Sequence, residues 1–159
     1  MKSNRLITGS ALLAVLVLLP LSSALAQSDE AFIKYRQKVM GGIGAHMGGI
    51  GDILKEGLPF ADHIATHAAG INASAKLVVA AFKKELHAGA TDAKADIWKE
   101  FAKFTEGAKA MEDESAKLMQ VAAGGDSAAT GEQVKALGKT CGNCHKPYRK
   151  PKEESYKKN

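Results

Sequence analysis

The chain is 159 residues long, 45% hydrophobic and 25% charged, with a formal net charge of +5. That is one domain's worth of sequence, with apolar residues enough for a core. The positive balance does not read as a nucleic-acid surface, because the basic residues are not spread along a helix face with interleaved aromatics. Two cysteines are also too few for a zinc site built on paired cysteine motifs.

Residues 1–26 open with Lys2 and Arg5, run apolar over 12–18 and end in Ala24-Leu25-Ala26. This is the pattern of a secretory signal peptide cut before Gln27. An uncleaved anchor is the poorer reading: the apolar run falls short of the roughly twenty residues that span a bilayer, and Pro20 interrupts its end. The expected mature domain is therefore residues 27–159, exported to the periplasm, with no stable membrane insertion after cleavage. It carries 20 basic and 17 acidic residues, 20 − 17 = +3. Six of the basic residues, against Glu153 and Glu154, lie after Thr140, a local 6 − 2 = +4. Such a field steers an acidic partner or an anionic ligand to that end, unless the tail is merely solvated and frayed.

Glycine and proline divide the mature chain into four long helical pieces. The first begins after Ser28 with Asp29 and Glu30 suited to a helix N-terminus, carries Phe32, Val39, Ile43, Met47, Ile50 and Leu54 at helical spacing, and ends near Gly57-Leu58-Pro59. The second runs from Asp62 to Gly89 with Ile64, Ala68, Ile71, Ala75, Val78, Val79 and Phe82 on its apolar side. The third follows Thr91-Asp92, carries Ile97, Phe101, Phe104, Ala108, Met111, Leu118 and Val121, and halts at Gly124-Gly125; Trp98 belongs to the core, where its indole N–H wants a polar partner. The fourth opens with a capping box, Thr130 and Gln133, and carries Val134 and Leu137. With no strand alternation and short joints, the expected fold is all-α, an antiparallel four-helix bundle.

Two features inside these helices are unusual. Gly41, Gly42, Gly44, Gly48, Gly49 and Gly51 lie within the first, each costing on the order of 1 kcal/mol relative to alanine. Either a cofactor or another helix approaches that backbone closely, or the helix is broken there; close approach is favoured, and Gly44→Leu is expected to lower thermal stability or cofactor retention. His63 and His67 are one turn apart, yet with no third ligand nearby they read as solvated or capping residues rather than a metal clasp. His46 and His87 carry no distinctive signal.

The fourth piece ends in Cys141-Gly142-Asn143-Cys144-His145. This spacing is that of a covalent haem attachment site, in which each thiol adds to a vinyl group and the following imidazole lies under the iron. On a helix the three side chains share a face and address one flat ligand. A thioredoxin-like redox pair needs a βαβ setting that is absent here, and a disulfide would close a trivially small loop and leave His145 unexplained. The opposite side of the haem must come from another helix. On the first, Arg36 and Met40 are one turn apart and address the same pocket, and a thioether is a good soft ligand for haem iron.

Tyr35-Arg36-Gln37-Lys38-Val39-Met40, Ile97-Trp98 and the terminal C-x-x-C-H followed by Tyr148-Arg149-Lys150 resemble the class II cytochromes c, the cytochrome c-prime group, themselves standard examples of the four-helix bundle. The resemblance implies one covalent haem c with its iron, held by Cys141 and Cys144 as thioethers and His145 as proximal axial ligand. It places Met40 on the distal side, Arg36 and Gln37 at the haem edge with Arg36 on a propionate, and Arg149 near the haem, although Pro147 is expected to kink the helix and carry Arg149 away. No haem contact is carried over to the short stretch Leu86-His87-Ala88-Gly89-Ala90-Thr91. Where the distal residue is methionine, members resemble the low-spin cytochrome c-556 type, with a His/Met-ligated iron and an electron-carrying role. Where it is leucine or another apolar residue, the iron is five-coordinate and binds nitric oxide or carbon monoxide. Met40 directs the expectation to the first kind: a periplasmic one-electron carrier, not an enzyme, docking on redox partner proteins, with the gas binder as the alternative. Dimers packed through the first two helices are common among gas-binding members, so a homodimer is a further expectation.

Overall fold

The computed structural model describes residues 28–158; the expected export signal lies outside the described residues. Helix α1, Asp29–Glu56, starts where Ser28 accepts the Ala31 N–H on its side-chain oxygen at 3.2 Å, and stops at Gly57, whose φ of 64° only glycine adopts without strain. It runs unbroken through its six glycines, which excludes the broken-helix reading. Helix α2, His63–Ala81, the single turn α3, Asp96–Lys99, then α4, Phe101–Ala123, and α5, Ser127–Tyr148, complete the bundle. Two 3-10 turns, Lys152–Glu154 and Tyr156–Lys158, follow. Among the described residues the only extended pairing is an isolated bridge between Ala93 and Arg149. No helix of the described residues is long and apolar enough to cross a membrane.

Helix α1 packs on α2, α2 on α4 and α4 on α5, whereas α1 and α5 do not close against each other. Ile50, Ile64, Ile71, Leu118 and Leu137 are at most 1% exposed and form the centre of the core. Each such side chain contributes about 1.5–3 kcal/mol relative to an exposed one. The stripe expected on α1 is right in its middle and one residue off at both ends: Ile33 and Ile53 are buried, while Leu54 is 43% exposed.

The joints depart from expectation in three places. Helix α2 ends at Ala81 rather than Gly89, because the chain beyond it unwinds and its carbonyls find donors elsewhere. The Arg36 guanidinium takes the carbonyls of Ala81 (3.1 Å), Leu86 (2.8 Å) and Lys84, and the Trp98 indole takes that of Phe82 (2.8 Å). The third helix does not begin after Thr91-Asp92, since that segment is tied to the C-terminus: the Lys94 N–H donates to the Tyr148 carbonyl at 3.0 Å and the Lys150 N–H to that of Asp92 at 2.7 Å. The capping box at Thr130 is not formed. Asp126 caps α5 instead, accepting the Ala129 N–H at 3.0 Å, while Thr130 lies inside the helix and Gln133 donates across to Glu114 of α4.

Candidate cofactor site

The unclosed seam between α1 and α5 is a cavity of about 570 Å³, within the size range of small-molecule and cofactor sites. Met40 and Met47 of α1 stand on one wall with Gly41, Gly44 and Gly48, and Cys141, Cys144 and His145 of α5 on the other. Phe104, Ala108 and Met111 of α4 form the apolar floor. Helical spacing thus brings the two thiols and the imidazole to one face, as the motif requires.

Both cysteines are free thiols and half-buried. Burial pushes each thiol up from its ordinary pKa, so both stay protonated. Burial, and after it the charge of Arg149, hold the His145 imidazole below its usual value, so the ring is neutral and keeps a nitrogen lone pair. Gly107 on α4 faces Cys144: a Cβ built there would lie 3.3 Å from the Cys144 sulfur. Sequence reasoning missed Gly107, although a glycine inside an otherwise regular helix is itself a signal of close approach.

Arg36 is 2% exposed. Its guanidinium stacks on the rings of Phe82 and Trp98, with centroids at 4.9 and 5.2 Å, and spends three of its five N–H donors on backbone carbonyls. Gln37 donates its amide to the Ala90 carbonyl at 2.6 Å. Both also line the cavity, where Arg36 retains two N–H donors. The stretch from Leu86 to Thr91, to which no haem contact was carried over, is thereby stitched to α1, and Thr91 joins the cavity wall.

The expected effect of Pro147 takes a specific form. Helix α5 continues through Pro147 and stops at Tyr148, leaving Arg149 extended and off the helix, 3.6 Å from the Asp92 carboxylate and still at the cavity's edge. His67 does not clasp with His63, which stacks on Phe60 instead. His67 pairs with His46 of α1, their Nδ1 atoms 3.1 Å apart.

The structure also tests whether a haem suits the seam. Free thiols and a neutral imidazole share one apolar wall, thioethers face it, the glycines opposite leave it bare, and the charged residues gather at one end where carboxylates would go. These residues fit the group.

A helical bundle with an attachment motif lining an open seam defines a c-type cytochrome of the bundle class. The chain belongs to the cytochrome c′ family: the family described as Cytochrome C' matches residues 31–149. It is 37% identical over 127 residues to the cytochrome c′ of Rhodospirillum rubrum, covering 79% of this chain and 86% of that one. Among solved structures it is similar to the cytochrome c prime from Shewanella frigidimarina, with a TM-score of 0.74, 31% identity, and 79% of this chain and 99% of that one covered. A variant of the cytochrome c prime from Alcaligenes xylosoxidans, in its nitric oxide complex, aligns with a TM-score of 0.68 and 29% identity, covering 77% and 96%. The cofactor of the family is covalently attached haem c with its iron.

Proposed function

We propose that the protein is an exported, periplasmic haem c protein that reversibly binds a small diatomic gas, nitric oxide or carbon monoxide, on the face of the haem turned toward α1. The observation that carries this reading is the open space left by glycines on the α1 wall. A Cβ added at Gly41, Gly44 or Gly48 would meet no atom within 4 Å, so over two turns the wall facing His145 carries only Met40, Ile43 and Met47, with open space at the three glycines between and beside them. The likeness to a nitric oxide complex supports the same reading.

When bound, the haem supplies an iron that changes oxidation state by one electron and offers a coordination position. Cys141 and Cys144 would hold it through thioethers, His145 would ligate the iron from α5, and Met40 would stand over the other side. Neutral His145 is already in the ligating form, and both half-buried cysteines stand on the same wall as it. No catalytic group is called for.

A second reading rests on Met40 itself. It is half-buried, packs against the core and lines the cavity wall opposite His145. With its sulfur on the iron the protein is a His/Met electron carrier, and the basic C-terminal end is then a docking surface for an acidic redox partner. Absorption spectra of the purified protein in both oxidation states separate the two. Broad high-spin bands that shift under carbon monoxide support gas binding, whereas sharp low-spin bands that resist the gas support the carrier. Met40→Ala then converts the second spectrum into the first.

A further inference from the structure

The family match ends at Arg149, yet the chain beyond it is ordered against the site. Residues 150–158 fold back as a strap, and Asp92 anchors it. One Asp92 carboxylate oxygen accepts the Tyr156 N–H at 3.1 Å, and the other accepts the Ser155 hydroxyl at 3.1 Å. The same side chain is 3.6 Å from the Arg149 guanidinium and only 11% exposed. Lys150 closes the base of the strap, its N–H donating to the Asp92 carbonyl and its ammonium to that of Thr91 at 3.2 Å. The frayed tail considered from composition is therefore not what forms.

The strap ends on the cavity. Tyr156 and Lys157 line it together with Arg36, Gln37, Thr91, Asp92 and Arg149, while apart from the attachment motif and Thr140 the remaining walls are methionine, glycine and aliphatic or aromatic side chains. At this end three cations (Arg36, Arg149, Lys157) face one carboxylate (Asp92), whose oxygens the strap already occupies, leaving 3 − 1 = +2. A haem carries two propionates, which are costly to bury in an apolar wall and stable beside donors and cations. The charge and its placement match.

We propose that residues 150–158 are a clasp over the propionate edge of the haem, with Lys157 pairing one propionate, Tyr156 covering the adjacent porphyrin edge and Asp92 as the positioning residue that holds the clasp shut. This rests on the haem reading of the seam. Removing Lys157 takes a cation from a carboxylate, which raises the pKa of that carboxylate and favours the oxidised, more positive iron.

The test uses the holoprotein, a chain ending at Lys150, and the variants Lys157→Gln, Lys157→Arg and Asp92→Asn. Intact mass first establishes that haem is attached. The reduction potential is then followed against pH, and trypsin cleavage after Lys152 reports whether the strap is held. The clasp predicts that Lys157→Gln lowers the potential and moves its propionate-linked pH transition up by on the order of one unit, that Lys157→Arg restores both, and that Asp92→Asn reproduces the truncation and speeds cleavage. Haem attached with potential and transition unchanged in the truncated chain and in Lys157→Gln overturns the clasp alone. A mass with no haem overturns the reading beneath it.

Discussion

Helix α1 makes one seam that closes and one that does not, and it uses glycine in opposite ways at the two. Against α2, Gly49 lies where a Cβ would sit 2.8 Å from the His67 ring, and Gly70 of α2 lies where one would sit 2.3 Å from the ring of His46. Each helix thus receives the other's imidazole in a notch that has no room for a side chain, and the two rings meet edge to face at 5.4 Å. Toward α5, Gly41, Gly44 and Gly48 meet nothing. The first seam is complete as protein, and the second requires a further group to fill it. A run of glycines therefore carries no single meaning; the neighbour each one faces decides.

The contrast breaks most sharply at the open seam. Cys141→Ala combined with Cys144→Ala leaves no covalent attachment, so intact mass shows no haem and stability falls by on the order of 4 kcal/mol, the scale of losing a tightly held ligand. Next is the closed seam. Gly70→Ala drives a methyl into the His46 ring, and overpacking of about 1–3 kcal/mol outweighs a helix-propensity gain of up to ~1 kcal/mol, which denaturant unfolding of the holoprotein will register as a loss. Trp98→Phe removes the donor to the Phe82 carbonyl at the unwound end of α2, at a cost of about 1 kcal/mol in the same experiment. The smallest effect has the opposite sign. Gly44→Ala fills empty space and gains about 0.5–1 kcal/mol in helix propensity, whereas Gly44→Leu projects far enough to crowd the haem and lowers the melting temperature.

Much of this was legible in the sequence. Helical spacing identified the middle of every apolar stripe, and the C-x-x-C-H motif named its own chemistry because three residue types at fixed spacing share one helix face. What was not legible depended on partners distant in the chain. Helix α2 stops at Ala81 because Arg36, 45 residues earlier, supplies donors to the freed carbonyls. Thr91 and Asp92 look like a helix start, yet Asp92 is committed to residues more than 60 positions later. Asp126 displaced Thr130 as a cap because either residue type serves, and only the loop geometry chooses. His46 had no signal of its own; it became informative only once α2 placed His67 beside it. The glycine run was read as one feature, whereas Gly49 belongs to the closed seam, Gly41, Gly44 and Gly48 to the open one, and Gly42 and Gly51 to neither.

The group that occupies the face of the haem beneath α1 decides between gas binding and electron carriage. Titration of the reduced protein with carbon monoxide, followed by absorption spectroscopy, tests this directly. Gas binding predicts broad high-spin bands that convert to those of a complex with one gas molecule per haem. Sharp low-spin bands that stay unchanged at saturating gas would contradict it, and would place the Met40 sulfur on the iron.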